Sequence, residues 1–170
     1  MRISLVTLGD PATLTGGYLY HRRMAEAATD NGASLTFVSF PEGPFPLPAL
    51  GGGVVSRRLH RQCPDVVVLD SIAAAFAAPW LWRFPRPIAA MVHQRPGGID
   101  HGPFRTALQV NCDLVAYRRL DRILVASETL IGELAGRGIK GETIAVVAPG
   151  RDLQTATGAA LDLKQGRGAA

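Results

Sequence analysis

The sequence predicts an α/β fold: a Rossmann-like, doubly wound, mainly parallel sheet of about six or seven strands with helices on both faces. Short β-branched runs alternate along the chain with longer segments of helical periodicity. One of these runs, residues 66–69, is apolar at every position, which is typical of a strand buried on both faces of a sheet. The chain has 170 residues, 47% of them hydrophobic, and is long enough for one such domain.

Each element follows from its local pattern. The predicted strands are residues 3–8, 34–40, 66–69, 88–92, 122–126 and 142–148. The predicted helices are residues 17–29, 54–62, 71–78 and 104–120, with a further one beginning at 127–128. Ser71 is expected to cap the third helix. Proline and glycine interrupt both patterns over residues 41–53 and 79–87.

Two of these helices carry apolar stripes that are expected to face the sheet. In the first helix the stripe is Leu19, Met24, Ala27 and Ala28. In the helix at 104–120 it is Phe104, Leu108, Cys112, Val115 and Leu120. For the second stripe a peripheral membrane contact is the alternative, and packing on the sheet is the simpler interpretation.

Charge and cysteine usage exclude several classes of protein. The net charge is +4, and the arginines form only small clusters that are typical of solvated helix faces, with anionic ligands or an acidic membrane as alternatives. No long basic run is interleaved with aromatic residues, so nucleic-acid binding is not expected. Cys63 and Cys112 lack metal-type spacing, and neither a signal peptide nor a membrane span is evident. These features together predict a reduced, cytoplasmic protein.

Ligands of such a sheet bind at the carboxyl ends of its strands, so the residues that follow each strand are the candidates for a site. They lie in the segments 9–17, 70–71, 93–95 and 127–128. Each candidate has a structural alternative. Asp70 and Ser127 could simply cap helices, and His93 could be a loop histidine with no ligand.

Gly16 and Gly17 stand where many sheet proteins hold a phosphate, between a strand and a helix. Neither a complete G-x-G-x-x-G fingerprint nor a Walker A loop is present, so NAD and ATP are not supported. Glycines at a helix start still allow an anion to approach the backbone amides, although a tight helix entry would explain them too. His93, Asp100 and His101 have no specific metal spacing, so no metal site is predicted.

Five segments, in order, resemble the N-terminal domain of a GT-B glycosyltransferase of family 4 (group 1), a retaining family. They are the glycine loop with the Asn31-Gly32 helix end, PDVVVLD at 64–70, MVHQ at 91–94, LDRILVASE at 120–128 and IAVVAPGRD at 144–152. The resemblance covers residues 1–152, with Arg151 where the family usually has valine. Residues 153–170 would then be a linker, or the start of a C-terminal domain that this sequence lacks.

The resemblance implies transfer of a sugar from a nucleotide-sugar to an acceptor without a metal cofactor. It implies that this domain binds the acceptor and that the missing C-terminal domain binds the nucleotide through an E-x7-E motif. Glu128 and Glu133 do not have that spacing. The chain alone is therefore expected to be inactive.

The resemblance also assigns roles by position. Gly16 and Gly17 would lie beside the donor diphosphate, and His93 would lie near the transferred sugar and be the catalytic residue. The acceptor-side candidates, from position alone, are Asp10, Tyr18, Asp70, Arg95 and Ser127. Two other functions stay open: a stand-alone, non-catalytic carbohydrate- or anion-binding module, and an NAD-type nucleotide-binding domain.

Overall fold

A computed structural model describes residues 1–12, 16–98 and 102–148, with the side chains of residues 16–18 left out. The strands are β1 (Arg2–Leu8), β2 (Ser34–Phe40), β3 (Val66–Asp70), β4 (Ile88–Val92), β5 (Arg122–Val125) and β6 (Ile144–Val146). The α-helices are α1 (Gly16–Asp30), α2 (Gly52–Gln62), α3 (Ser71–Ala77), α4 (Pro103–Tyr117) and α5 (Glu128–Ala135). Short 3-10 helices lie at Leu47–Gly51, Ala78–Arg83 and Gly141–Thr143.

The six described strands form one parallel sheet in the order β2-β1-β3-β4-β5-β6. The predicted α/β class and alternation of elements are therefore confirmed, and the predicted strand bounds agree to within two residues. The strand order reverses between β1 and β3, because the chain moves outward to β2 and then returns past β1. In sheets of this type the crevice at such a reversal is where ligands bind.

The core lies on both faces of the sheet, because alternate residues of a strand point to opposite faces. The larger cluster contains Val67 and Leu69 of β3 together with apolar side chains of α2, α3, α4 and α5. On the opposite face, Leu5, Val68 and Met91 pack with Tyr20 and Met24 of α1. Helices on both faces were predicted, and α1 is the one that packs with the smaller cluster.

The predicted sheet-facing stripe of α4 is wrong in most of its members. Phe104 is 83% exposed and Leu108 43% exposed, and Val115 is also exposed. The buried face of α4 instead carries Gln109, Asp113, Leu114, Ala116 and Tyr117. The polar Gln109 and Asp113 stand on the inner face, so hydrophobic spacing alone pointed to the wrong side of this helix.

Smaller corrections concern α1, α3 and the cysteines. Leu19 and Ala27 are exposed rather than sheet-facing, and His21 of the same helix is buried. The cap of α3 is Asp70, whose side chain accepts a hydrogen bond from the Ile72 amide, and not Ser71. Cys63 is an exposed free thiol that ends α2 in the left-handed conformation, with φ 46°. The predictions for Asp100, His101 and residues 149–170 concern positions outside the described residues.

Candidate functional site

Three polar side chains lie together at the carboxyl ends of β1, β3 and β4. Two of them, Asp70 and His93, were predicted from the sequence, and the third is Thr7. Strand pairing sets Val6 level with Leu69, and Asp70 level with Met91, so His93 comes two residues beyond that level. Met91 faces α1, and because side chains alternate along the strand, His93 faces α1 as well. The register of a parallel sheet therefore places Thr7, Asp70 and His93 at one edge.

Asp70 is buried, and both of its carboxylate oxygens are engaged within the domain. Oδ2 accepts a hydrogen bond from the Thr7 hydroxyl at 3.0 Å. Oδ1 accepts from the Ile72 amide and from the Ser71 hydroxyl, each at 3.3 Å. The carboxylate thus caps α3 and ties β1 to β3, as its structural alternative predicted, while its contact with an acceptor stays a prediction.

His21 is the side chain that sequence reasoning missed. It is only 1% exposed, and its Nδ1 lies 3.6 Å from Oδ2 of Asp70. Neither ring nitrogen has a hydrogen-bond partner among the described residues. Burial lowers the pKa of His21, the Asp70 charge opposes this, and the neighbouring His93 lowers it further. The one signal in the sequence was its place four residues after Gly17, on the same face of the helix.

His93 is half-buried and packs against consecutive residues of α1. Its ring centroid lies 4.8 Å from that of Tyr20 in an edge-on arrangement and 5.8 Å from that of His21. Its Nε2 is buried without a hydrogen-bond partner in the described ranges. Burial lowers the pKa of His93, with the Asp70 charge opposing, so the imidazole is neutral at pH 7. A buried, unpaired nitrogen of this kind calls for a ligand or a water molecule.

The loop that follows β4 is hydrogen-bonded to a side chain of α4. The Gly97 amide donates a 2.9 Å hydrogen bond to Oδ2 of Asp113, which is 2% exposed. Burial raises the pKa of Asp113 to about 7, although backbone hydrogen bonds from Gly97 and Ala75 act in the opposite direction. The loop that follows His93 is therefore fixed to the helix layer by a buried carboxyl group, which sequence reasoning also missed.

The remaining predicted site residues are more dispersed. Arg95 is exposed and forms an ion pair with Glu133 of α5, with 3.2 Å between Nη2 and Oε1. Ser127 is exposed at the N-cap of α5 and makes no capping hydrogen bond. Gly16 and Gly17 form the first turn of α1, and the side chain of Tyr18 lies outside the described residues.

Asp10 lies toward the β2 side of the same edge. Its Oδ1 accepts a hydrogen bond from the Ala12 amide at 2.9 Å. It borders an open groove of ≈ 560 Å³ whose walls also include Gly9, Phe40, Glu42 and Arg58. Gly9 has φ +74°, a left-handed backbone conformation that favours glycine, and the Glu42 side chain packs over its Cα.

The described residues contain no group of three or more His, Cys, Asp or Glu side chains that could hold a metal ion. None of the helices in these ranges is both long enough and apolar enough to cross a bilayer.

Comparison with known proteins decides the family. The family model described as Glycosyltransferase Family 4 matches residues 2–155. The chain belongs to glycosyltransferase family 4. The resemblance seen in its five sequence segments, and the GT-B assignment, are thereby confirmed. No curated protein matches the sequence significantly.

Solved structures similar to this family 4 domain share its fold at low sequence identity. The galactosyltransferase WaaB of the lipopolysaccharide outer core has a TM-score of 0.65 at 14% identity over 91% of this chain and 47% of its own. Anabaena HepE, solved with UDP, has a TM-score of 0.63 at 17% identity over 89% of this chain and 45% of its own. The UDP-GlcNAc 2-epimerase of Methanocaldococcus jannaschii has a TM-score of 0.58 at 14% identity, covering 86% of this chain and 45% of its own.

The family 4 domain thus spans less than half of each of these solved chains. Glycosyltransferases and an epimerase share the fold, so the fold alone does not specify the reaction.

Proposed function

We propose that this chain is the acceptor-side half of a retaining glycosyltransferase and is inactive without a C-terminal, donor-binding domain. The reaction proposed is transfer of a sugar from a nucleotide-sugar to an acceptor. The observation that carries the proposal is His93, whose buried Nε2 lacks a partner among the described residues at the carboxyl end of β4 in a family 4 domain.

In this proposal His93 contacts the transferred sugar. A neutral imidazole has one nitrogen that donates a hydrogen bond and one that accepts, and both can bind sugar hydroxyls. Fixed dipoles aimed at the reacting centre stabilise the positive charge that develops on the sugar in the transition state. The edge-on contact with Tyr20 supports this role, since it orients the ring before substrate arrives.

Gly16 and Gly17 are proposed to lie beside the donor diphosphate. They occupy the first turn of α1, where backbone amides have no partner within the helix. Such amides favour a negative group, and glycine allows it to approach closely. HepE, whose structures include complexes with UDP and with UDP-glucose, supports a nucleotide-sugar as the donor.

The acceptor is proposed to bind along the same edge, near Asp10, Tyr18, Arg95 and Ser127. The groove beside Asp10 supports this, because Glu42 and Arg58 in its largely apolar walls can bind hydroxyl groups. The Arg95 guanidinium can bind an acceptor phosphate or carboxylate, although this would compete with its ion pair to Glu133.

The experiment joins the chain to its C-terminal half and measures transfer or hydrolysis of UDP-glucose and other nucleotide-sugars. The joined protein should turn over a donor, and the 170-residue chain alone should not. In the joined protein, His93→Ala should lower kcat by roughly 10²–10³-fold. His60→Ala is the matched control, since His60 is exposed on α2 and its ring hydrogen-bonds to the Arg83 carbonyl oxygen, away from the candidate site.

A wild-type rate in His93→Ala would overturn the role of His93. We also propose that no metal is required, so turnover should survive EDTA.

If the joined protein binds sugars without turnover, the chain is a non-catalytic module instead. A thermal shift with NAD but with no sugar nucleotide would favour an NAD-type domain.

A further inference from the structure

His21 is a buried polar side chain that the proposed reaction does not use. Leu5, Val68 and Met91 make the sheet surface near α1 apolar, and a leucine would suit that environment better than an imidazole. Both ring nitrogens of His21 are buried without a hydrogen-bond partner among the described residues. Packing alone therefore does not explain a histidine at this position.

On one side, His21 faces a carboxylate whose position is fixed. Oδ2 of Asp70 lies 3.6 Å from Nδ1 of His21 and is held there by the Thr7 hydroxyl at 3.0 Å. The other oxygen of Asp70 is held by the N-terminus of α3. The negative charge therefore lies close to the imidazole, with little freedom to move away.

On the other side, His21 lies against the residue to which we assign the sugar contact. The ring planes of His21 and His93 are inclined at 51°, with 5.8 Å between their centroids. Tyr20, the preceding residue, packs on His93 at 4.8 Å. Two consecutive residues of α1 thus support the His93 ring, and the helix that carries them begins with the glycine pair.

We propose that His21 is a positioning residue for His93: held beside Asp70, it supports the His93 ring and couples the protonation of His93 to its own. The inference rests on the role of His93 in the proposed function. Two imidazoles this close repel each other when both are protonated, and a nearby carboxylate favours one proton on the pair. The pair then titrates as a unit rather than as two independent groups.

The groups that face this pair come from several elements. Asp70 approaches from the β3–α3 junction and Tyr20 from α1, and Tyr117 of α4 also feels the Asp70 charge. Burial lowers the pKa of both histidines below the usual 6.5, and the Asp70 charge opposes this for each. Both rings are therefore neutral at pH 7.

The test is an NMR titration of the four histidines in the 170-residue chain, with each signal assigned by substitution. In His21→Gln the His93 titration should become a single step, because no second imidazole titrates beside it. In His93→Gln the pKa of His21 should rise, because the neighbouring positive charge that lowers it is removed. In Asp70→Asn the pKa of His93 should fall. His60→Gln, on the exposed face of α2, should leave the His93 curve unchanged.

An unchanged His93 curve in both His21→Gln and Asp70→Asn, in variants with well-dispersed spectra, would overturn the inference. In the joined enzyme, His21→Gln should lower kcat several-fold with little change in the KM of the donor, and should shift the acid limb of the pH–rate profile. Titration coupling without transferase activity would refute only the proposed function. Transferase activity that needs His93, without coupling, would refute only this inference.

Discussion

The amide of Gly97 donates a 2.9 Å hydrogen bond to the buried carboxyl group of Asp113, across the 15 residues that separate them. The bond fixes the loop after His93 to the inner face of α4. The burial of Asp113 makes the stability of the domain depend on pH, because it raises the pKa of this carboxyl group to about 7 from an ordinary value of 3.8, with the Gly97 hydrogen bond acting in the opposite direction.

The first prediction is the sign of that dependence. An acid whose pKa is raised by folding binds its proton more tightly in the native state, so its contribution to stability decreases as the pH rises from about 4 to about 7. Asp113→Asn removes this titration while keeping a hydrogen-bond acceptor. The free energy of unfolding of the wild type should fall relative to the variant by on the order of 1 kcal/mol per pH unit across that window.

Urea unfolding at pH 5 and pH 8 would measure the difference, with the exposed Asp30→Asn on α1 as the control. A wild-type-minus-variant difference that stays constant between the two pH values would contradict the prediction.

The second prediction concerns the other end of the same hydrogen bond. Gly97 has φ +100°, and a Cβ there would lie 2.6 Å from Cγ2 of Val110. Gly97→Ala should therefore destabilise the domain by about 1–3 kcal/mol. Gly102→Ala is the matched control, because Gly102 has φ −61° and no atom lies within 4 Å of the Cβ position. Equal chemical denaturation midpoints for the two variants would be inconsistent with a close packing role for Gly97.

The third prediction tests which face of α4 is buried. Leu114 is buried, whereas Leu108 is exposed. Leu114→Ala should cost about 2–5 kcal/mol of unfolding free energy, while Leu108→Ala should cost less than about 1 kcal/mol. Equilibrium unfolding in urea distinguishes them. A larger loss of unfolding free energy in Leu108→Ala than in Leu114→Ala would instead support the apolar stripe predicted from the sequence as the buried face.

The fourth prediction isolates the Thr7–Asp70 hydrogen bond. Thr7→Val preserves the shape of the side chain but leaves Oδ2 of a buried carboxylate without its donor, which should cost about 1–3 kcal/mol. Thr36→Val on the neighbouring strand is the control, since Thr36 is exposed and its hydroxyl bonds are longer, at 3.2 and 3.4 Å. In the His21 titration, Thr7→Val should also change the pKa of His21. Thermal unfolding with equal losses in both variants would argue against the buried bond.

Local patterns in the sequence were enough to predict the fold class, the parallel sheet and the edge at which a site is expected. Alternation of β-branched runs with helical segments is a local property, and strand β4, Ile88–Val92, was predicted with its bounds as found. His93 could be named as a candidate because it follows such a strand. These inferences need only local pattern and the geometry common to parallel sheets.

Which polar side chains are buried together depends on contacts between segments that are distant in the sequence. His21 and Asp113 lie on helices at places where an apolar residue would also fit, and the local pattern does not show which groups they contact. Their roles arise from Asp70 and Gly97, which lie 49 and 16 residues away in the sequence. The exposed face of α4 was misjudged for the same reason: apolar spacing shows that a helix has two faces, but contacts across the fold decide which one is buried.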